Sequence, residues 1–287
     1  MCSSDLLRLL SSDVLSQQPR VLVGERVLWP RQVAQRTYEV YVPLGHEPGD
    51  RIEVTVALGD RRRSIKLDQV AVRPGAARRV ELAKREVALD FAERSAYKIV
   101  FPQAERFVPQ VPDGLVAVGS GYALGPEDVP FDARVGVWLR CAPNTCEDDQ
   151  VGLYQAVGEA QWGLVGSERQ EGVIGASLRR LGRFALLRDA RAPEVDGLRP
   201  RRDTRIADRR PRLSARIDDA GSGIGREEDI TIELNGQALI AEYDPEAKTV
   251  RARPSQDLAP GPHEWTVRVR DMAGNERAVH SAFRVVK

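Results

Sequence analysis

The stretch Leu213-Ser-Ala-Arg-Ile217, which continues into Asp218-Asp-Ala-Gly-Ser-Gly-Ile224, decides the fold class. Its apolar residues alternate with polar ones, and a glycine-rich turn follows, which is the pattern of a half-buried strand in an antiparallel sheet. The pattern recurs to the end of the chain, in Ile230-Thr-Ile-Glu-Leu234, Asn235-Gly236, Trp265-Thr-Val-Arg-Val269 and Asp271-Met-Ala-Gly-Asn275. We therefore predict an antiparallel β-sandwich over residues 193–287, with Asn235-Gly236 as a two-residue hairpin turn.

The order of these motifs resembles the bacterial immunoglobulin-like modules that end many secreted, cell-wall-directed proteins. The resemblance implies a module that holds, spaces or binds. Its inward positions are expected at eleven apolar residues: Leu213, Ala215, Ile217, Ile230, Ile232, Leu234, Trp265, Val267, Val269, Phe283 and Val285.

The preceding residues also have the period of strands, and helices of normal length are nearly absent. Tyr38, Val40 and Val42 alternate, and so do Ile52, Val54 and Val56, which predicts a small β module over residues 24–86, either complete or without its first strands. In the next block, strands are predicted at 87–91, 97–101, 115–122, 134–140, 151–156, 161–165, 173–178 and 183–187. Their spacing favours a second sandwich over residues 87–189. The predicted fold class is therefore all-β, with tandem antiparallel β-sandwich modules, the last immunoglobulin-like.

The block 87–189 resembles the ZU-type β-sandwich of ankyrins and netrin receptors. Three motifs carry the resemblance: Val151-Gly-Leu-Tyr154, Gln161-Trp-Gly-Leu-Val-Gly166 and Leu181-Gly-Arg-Phe-Ala-Leu186. The opening signature of that family is blurred here to Phe101-Pro-Gln-Ala104.

The first residues form a separate case. Cys2-Ser-Ser-Asp-Leu6 back-translates to a string that matches the end of a common sequencing adapter. Residues 1–23 are therefore expected to be a partial or artefactual N-terminus, with an upstream domain lost, and the absence of a signal peptide then says nothing about export.

Composition excludes few functions. Lys+Arg of 43 against Asp+Glu of 42 leaves a net charge of +1, so the whole chain is not expected to attract nucleic acid or anionic membranes. No apolar run approaches the roughly 20 residues of a spanning helix. Seven arginines between residues 199 and 212 suggest either a polybasic patch or a solvated linker with interleaved aspartates.

Cys141 and Cys146 bracket a loop with Pro and Asn between two predicted strands. A disulfide, free thiols and a metal site are all open, although no histidine or second cysteine pair lies nearby to complete a metal site. A disulfide would place the chain in an oxidising compartment, which favours a periplasmic or extracellular location.

Asp218, Asp219, Asp229 and Asp271 could gather around calcium at one end of the last module, because Ca²⁺ prefers oxygen ligands. The alternative is turn chemistry, in which these side chains accept hydrogen bonds from backbone amides. Trp138, Trp162 and Trp265 lie within alternating strands, so they are expected in the core rather than on a sugar-binding surface.

Taken together, the modules resemble the C-terminal region of lysostaphin-type (LytM-like) peptidoglycan endopeptidases. That family's zinc site needs an H-x-x-x-D motif and a later H-x-H motif. His46 and Asp50 match the first in a turn-like segment, but none of the three histidines forms H-x-H. We therefore expect no enzyme, no catalytic residue and no cofactor in this chain.

The expected function is that of a non-catalytic cell-envelope accessory protein, which positions or anchors an upstream peptidoglycan hydrolase-like domain. Its expected partners are that domain and peptidoglycan or another envelope glycan, without nucleic acid or a membrane span. Two alternatives stay open: a carbohydrate-binding or adhesive surface protein, and a degenerate hydrolase.

Overall fold

The regular secondary structure of the chain consists almost entirely of β-strands. A computed structural model describes residues 4–43, 51–68 and 70–287. Strand accounts for 55% of the structure and helix for 2%, in antiparallel sheets. The predicted fold class, tandem antiparallel β-sandwich modules with an immunoglobulin-like module last, is confirmed. Within the described residues, no helix has the length and apolar character needed to cross a membrane.

The described residues of the first module form seven strands in two sheets, ordered β1-β5-β4 and β3-β2-β6-β7. The strands are β1 (Ser4–Leu10), β2 (Arg20–Val23), β3 (Arg26–Leu28), β4 (Arg31–Ala34), β5 (Thr37–Pro43), β6 (Arg51–Leu58) and β7 (Arg61–Asp68). The predicted alternation puts Tyr38, Val40 and Val42 in the interior. A core of valines and Ile52 results, against which Leu7 and Leu9 pack.

Two segments of the expected N-terminal remnant belong to these sheets. β1 pairs with β5 from Leu10 opposite Thr37 to Ser4 opposite Pro43, and β2 lies between β3 and β6. Residues 4–10 and 20–23 are therefore part of the first module's sheets. The turn predicted at 45–49, with His46, and the neighbouring Asp50 lie outside the described residues.

The middle of the chain contains eleven strands in two further sheets, ordered β16-β17-β13-β9-β8 and β10-β12-β18-β14-β15, with β11 also paired to β18. The strands are β8 (Arg78–Leu82), β9 (Val87–Phe91), β10 (Gln103–Phe107), β11 (Leu115–Ala117), β12 (Gly121–Gly125), β13 (Val135–Arg140), β14 (Val151–Gly158), β15 (Gln161–Gly166), β16 (Glu168–Gln170), β17 (Val173–Leu178) and β18 (Arg183–Asp189). A 3-10 turn at Ala83–Arg85 separates β8 from β9.

Two of the strands predicted here are wrong. Residues 97–101 form no strand: only Val100 pairs, in an isolated bridge with Val72. The strand is instead β10, an edge strand whose polar sequence has no apolar alternation to reveal it. The single strand predicted at 115–122 is two strands, β11 and β12, because Gly119 with φ +89° interrupts it.

The chain divides into two compact units. One comprises Met1–Glu105, Ala123–Val137 and Ser177–Gly182, and the other comprises Arg106–Tyr122, Trp138–Ala176 and Arg183–Lys287. The first unit contains the core of the first module and an edge-to-face pair of Phe91 and Phe131. The second contains a core around Leu115, Tyr154, Trp162, Ala185 and Leu187, and the core of the last module. The boundaries inferred from sequence stay predictions.

The last module has two sheets, ordered β19-β21-β25-β24 and β20-β27-β26-β22-β23. Its strands are β19 (Glu194–Arg199), β20 (Thr204–Ile206), β21 (Leu213–Asp218), β22 (Ile230–Leu234), β23 (Gln237–Leu239), β24 (Ala241–Asp244), β25 (Thr249–Ala252), β26 (Gly261–Arg270) and β27 (Glu276–Val285). In immunoglobulin notation these orders are A-B-E-D and A′-G-F-C-C′, the two sheets of that fold. β20 lies parallel to β27, so the first strand is shared between the sheets.

The interior of the last module follows from its strand periodicity. All eleven residues predicted to face inward are buried in one cluster, which Val250 and Ala252 of β25 complete. Asn235 and Gly236 have φ of +51° and +78° and join β22 to β23, as predicted for a hairpin. Trp265 is 1% exposed, so the core assignment of this residue is confirmed.

We expect residues 193–287 to unfold cooperatively as an isolated fragment, because they contain both sheets of the last module and its whole hydrophobic core. Trp265→Ala should lower its free energy of unfolding by about 3–5 kcal/mol, the usual cost of emptying a buried tryptophan site. The neighbouring exposed Glu264→Ala should change it by less than about 0.5 kcal/mol. Urea titration followed by circular dichroism measures both, and equal midpoints for the two variants would contradict the prediction.

Candidate functional site

Three aspartates meet where β18 leads into the last module. We call this connection the joint, and we call the sheet that contains β18 (β10-β12-β18-β14-β15) the middle sheet. Asp189 ends β18, Asp219 follows β21, and Asp271 follows β26. One carboxylate oxygen from each lies within 4.8 Å of the others. Asp189 and Asp271 are 0% and 2% exposed, and Asp219 is half-buried. We call these three residues the aspartate cluster.

Backbone amides hold Asp189 at the joint. Its Oδ1 accepts a hydrogen bond from Arg191 N at 3.1 Å, and its Oδ2 accepts one from Ser222 N at 2.6 Å. A Cβ atom at Gly221 would overlap this carboxyl group, so the loop after β21 can approach Asp189 only with glycine there. The sequence Ala-Gly-Ser-Gly thus permits a contact between the two modules.

The other two carboxylates are fixed by their own turns. Asp219 Oδ2 accepts hydrogen bonds from Gly223 N at 2.6 Å and Gly221 N at 3.2 Å. Asp271 Oδ1 accepts one from Asn275 N, and its Oδ2 accepts one from Asn275 Nδ2, both at 2.8 Å. The turn chemistry expected for these aspartates is therefore present.

Asn275 also links the two modules. Its Nδ2 donates to the backbone carbonyl of Asp189 at 2.9 Å, and its Oδ1 accepts a hydrogen bond from Gln150 Nε2 at 2.6 Å. The amide side chain thus contacts the last turn of its own module and two strand ends of the middle sheet.

The cluster is electrostatically unbalanced. Burial, together with the charges of Asp189 and Asp271, raises the pKa of Asp219 from 3.8 to about 6, although amide donors oppose this. Burial also raises the pKa of Asp271, against the donors from Asn275. Two unit charges ~4 Å apart interact by roughly 4 kcal/mol at an effective dielectric constant of ~20. In the described part of the chain, no lysine or arginine forms an ion pair with any of the three.

The structure brings together two of the four aspartates predicted to gather. Asp219 and Asp271 converge, whereas Asp218 points to the other side of the strand end and pairs with Lys248 Nζ at 2.7 Å. Asp229 ends a 3-10 turn before β22 and lies outside the cluster. At the third member, Asp189, the sequence predicts only a module boundary. Its only sequence signal was an acidic residue that ends an apolar strand.

Cys141 and Cys146 are joined by a disulfide with a Cα–Cα distance of 5.5 Å. The loop they close follows β13, and Arg169 Nε donates to the carbonyl of Cys146 at 2.9 Å. Of the three interpretations left open by the sequence, the structure has the disulfide.

The histidines that the structure describes have structural partners. His263 is buried, with Nε2 2.8 Å from Ala259 O and Nδ1 2.9 Å from Asn235 Nδ2. His280 Nδ1 lies 2.8 Å from Thr266 Oγ1. His46 and Asp50, the residues of the H-x-x-x-D match, lie outside the described residues.

The remaining candidates occupy ordinary structural positions. Trp138 and Trp162 are 5% and 9% exposed, so their core assignment is confirmed. In the arginine-rich segment, Arg209 pairs with Asp257 at 3.8 Å rather than with the aspartates interleaved in that segment. Arg210 Nε donates to Pro254 O at 3.2 Å.

Comparison with known proteins identifies no family for this chain. No family model matches it, and no curated protein matches it. Two solved structures are similar over 99% of this chain at 10% identity: Sidekick-1 immunoglobulin domains 1-5, with a TM-score of 0.24 over 75% of that chain, and Sidekick-1 immunoglobulin domains 1-4, with a TM-score of 0.21 over 95%. TM-scores this low say nothing about function.

We expect the disulfide to form when the protein is exported, with a mass two hydrogens below that of the reduced chain. Because the closed loop is short, Cys141→Ser with Cys146→Ser should cost no more than about 2 kcal/mol of stability. Intact mass before and after reduction checks the bond, and thermal melts check the cost. Alkylation of both Cys141 and Cys146 without prior reduction would show the prediction to be wrong.

Gly221→Ala should destabilise the joint by about 1–3 kcal/mol, because the added methyl group would displace the buried Asp189 carboxylate. Gly163→Ala in β15 is the matched control, since its nearest neighbour would be Val157 Cγ1 at an ordinary 3.8 Å. Trypsin cleavage after the exposed Arg191 should be faster in Gly221→Ala than in the control. Equal cleavage rates would mean that the contact does not hold the linker.

Proposed function

We propose that this chain is a non-catalytic accessory segment of a cell-envelope protein, which positions an adjoining wall-directed domain. The observation that carries the proposal is the joint before the last module. Only residues 190–193 separate β18 from β19, and hydrogen bonds from Ser222, Asn275 and Gln150 bridge that connection.

The joint favours a spacer over a flexible tether. A linker that lets modules move independently is exposed and makes few contacts across it. Here the fully buried carboxylate of Asp189, at the end of one module, accepts a hydrogen bond from the backbone amide of Ser222 in the next. Such a charge requires its hydrogen-bond donors, so separating the modules would be costly.

Two further features support an envelope location. The Cys141–Cys146 disulfide is the kind of bond that persists in oxidising compartments. The immunoglobulin-like topology of the last module agrees with the resemblance to wall-directed bacterial modules. The resemblance to the C-terminal region of lysostaphin-type endopeptidases supplies the proposed neighbour, a peptidoglycan hydrolase-like domain.

A glycan-binding surface protein is the second candidate. The three in-strand tryptophans do not favour it, because they are buried. Trp29 favours glycan binding, because this residue is 61% exposed and lies next to β3 in the first module. Binding platforms for sugars use aromatic rings that are open to solvent in this way.

Incubation of the full chain with purified peptidoglycan sacculi tests the proposal. A non-catalytic accessory segment should not clear the suspension with added zinc, and any co-sedimentation should not depend on Trp29. Saturable sedimentation lost in Trp29→Ala but kept in the nearby Val27→Ala would favour the glycan-binding candidate. Zinc-dependent clearing that disappears in His46→Ala would overturn the non-catalytic assignment.

A further inference from the structure

The aspartate cluster retains unused acceptor capacity. Both amide donors to Asp219 reach Oδ2, so Oδ1 remains for another partner. Asp189 receives one donor on each oxygen, although a carboxylate has about four lone-pair positions. The amides therefore fix the orientation of the carboxylates and leave oxygens that face one another within 4.8 Å.

A second observation, independent of the acidic residues, comes from Tyr154 on β14. Its side chain is 0% exposed, and its hydroxyl group has no hydrogen-bond partner. A buried hydroxyl without a partner is costly and uncommon, so a water molecule or an ion beside it would satisfy it.

Tyr154 lies on the same face of the sheet as Asp189, and its ring extends toward the end of the strand where the cluster lies. In the pairing of β14 with β18, Tyr154 lies opposite Ala185, and Asp189 N donates to Gln150 O in the same register. Ala185 and Asp189 are four residues apart on β18, and side chains alternate between faces, so Tyr154 and Asp189 lie on one face of the sheet. The tyrosine ring leans along the strand toward that end, over Gly152, where a Cβ would lie 3.6 Å from Tyr154 Cε2. Burial and the charges of the three aspartates raise the pKa of Tyr154.

The oxygen donors gathered here have the chemistry that a hard cation needs. Three carboxylates and a hydroxyl offer oxygen atoms alone, which suits Ca²⁺ or Mg²⁺ rather than a metal that favours nitrogen or sulfur. The carboxylates come from three separate strand ends. Ca²⁺ accepts such irregular arrangements with six to eight ligands, whereas Mg²⁺ demands a near-ideal octahedron.

We propose that Asp189, Asp219 and Asp271 bind one calcium ion, and that the Tyr154 hydroxyl group contacts the ion or one of its waters. Backbone amides and Asn275 orient the carboxylates, and water completes the coordination. The ion neutralises most of the cluster's charge and ties the middle sheet to the last module. This inference depends on the geometry of the joint and does not require an envelope role.

Calorimetric titration of the full chain, stripped with EDTA, tests the proposal. We expect one Ca²⁺ per chain, a Ca²⁺-dependent rise in Tm, and binding at least ~10-fold weaker for Mg²⁺. Asp219→Asn removes one charge with little change in shape and should weaken Ca²⁺ binding at least ~10-fold. Asp218→Asn is the matched control, because Asp218 pairs with Lys248 outside the cluster, and it should bind as the wild type does.

Tyr154→Phe keeps the test decisive if Asp219→Asn does not fold. Without metal its Tm should equal or exceed that of the wild type, because the change removes a hydroxyl group that has no partner. With Ca²⁺ its Tm should rise less, and its affinity should fall ~10-fold or more, as is usual for supporting groups of metal sites. Absence of a Ca²⁺-dependent heat and Tm shift in the wild type, or unchanged binding in Tyr154→Phe or Asp219→Asn, would overturn the proposal.

Discussion

The buried carboxylate of Asp189 is the constraint on which the joint depends. A charge removed from water requires donors, and this one finds them in two modules at once, in Arg191 N and Ser222 N. The loop after β21 must therefore approach β18 closely, which only glycine at position 221 allows. This contact and the bridge made by Asn275 link the last module to the middle sheet.

Turn chemistry and ion binding are compatible in such a cluster. The amides of Gly221 and Gly223 hold Asp219, and Asn275 holds Asp271, as in ordinary turns. The same bonds aim the remaining oxygens at a common point. The geometry of a turn can thus prepare a cation site without ligands that the sequence would mark as special. This explains why the sequence left both interpretations open.

The sequence pattern predicted correctly those strands that bury one apolar face, and it failed for strands without such a face. β21, β22, β26 and β27 have one apolar face each, so the period of two identified every residue that these strands contribute to the hydrophobic core cluster. β10 is an edge strand of mostly polar residues, and its period carries no burial signal. In the run 115–122, the positive φ of Gly119 ended pairing where the apolar pattern continued.

The sequence by itself determined the all-β class, the hairpin at Asn235-Gly236 and the core of the last module, because strand periodicity and turn propensity are local properties. Only the tertiary structure decided which aspartates meet. Asp218 and Asp219 are neighbours, yet alternation sends one to Lys248 and the other to the cluster. Sheet register and packing bring Asp189 and Tyr154 of another module to Asp219 and Asp271. The spacing of acidic residues along the chain encodes neither the register nor the packing.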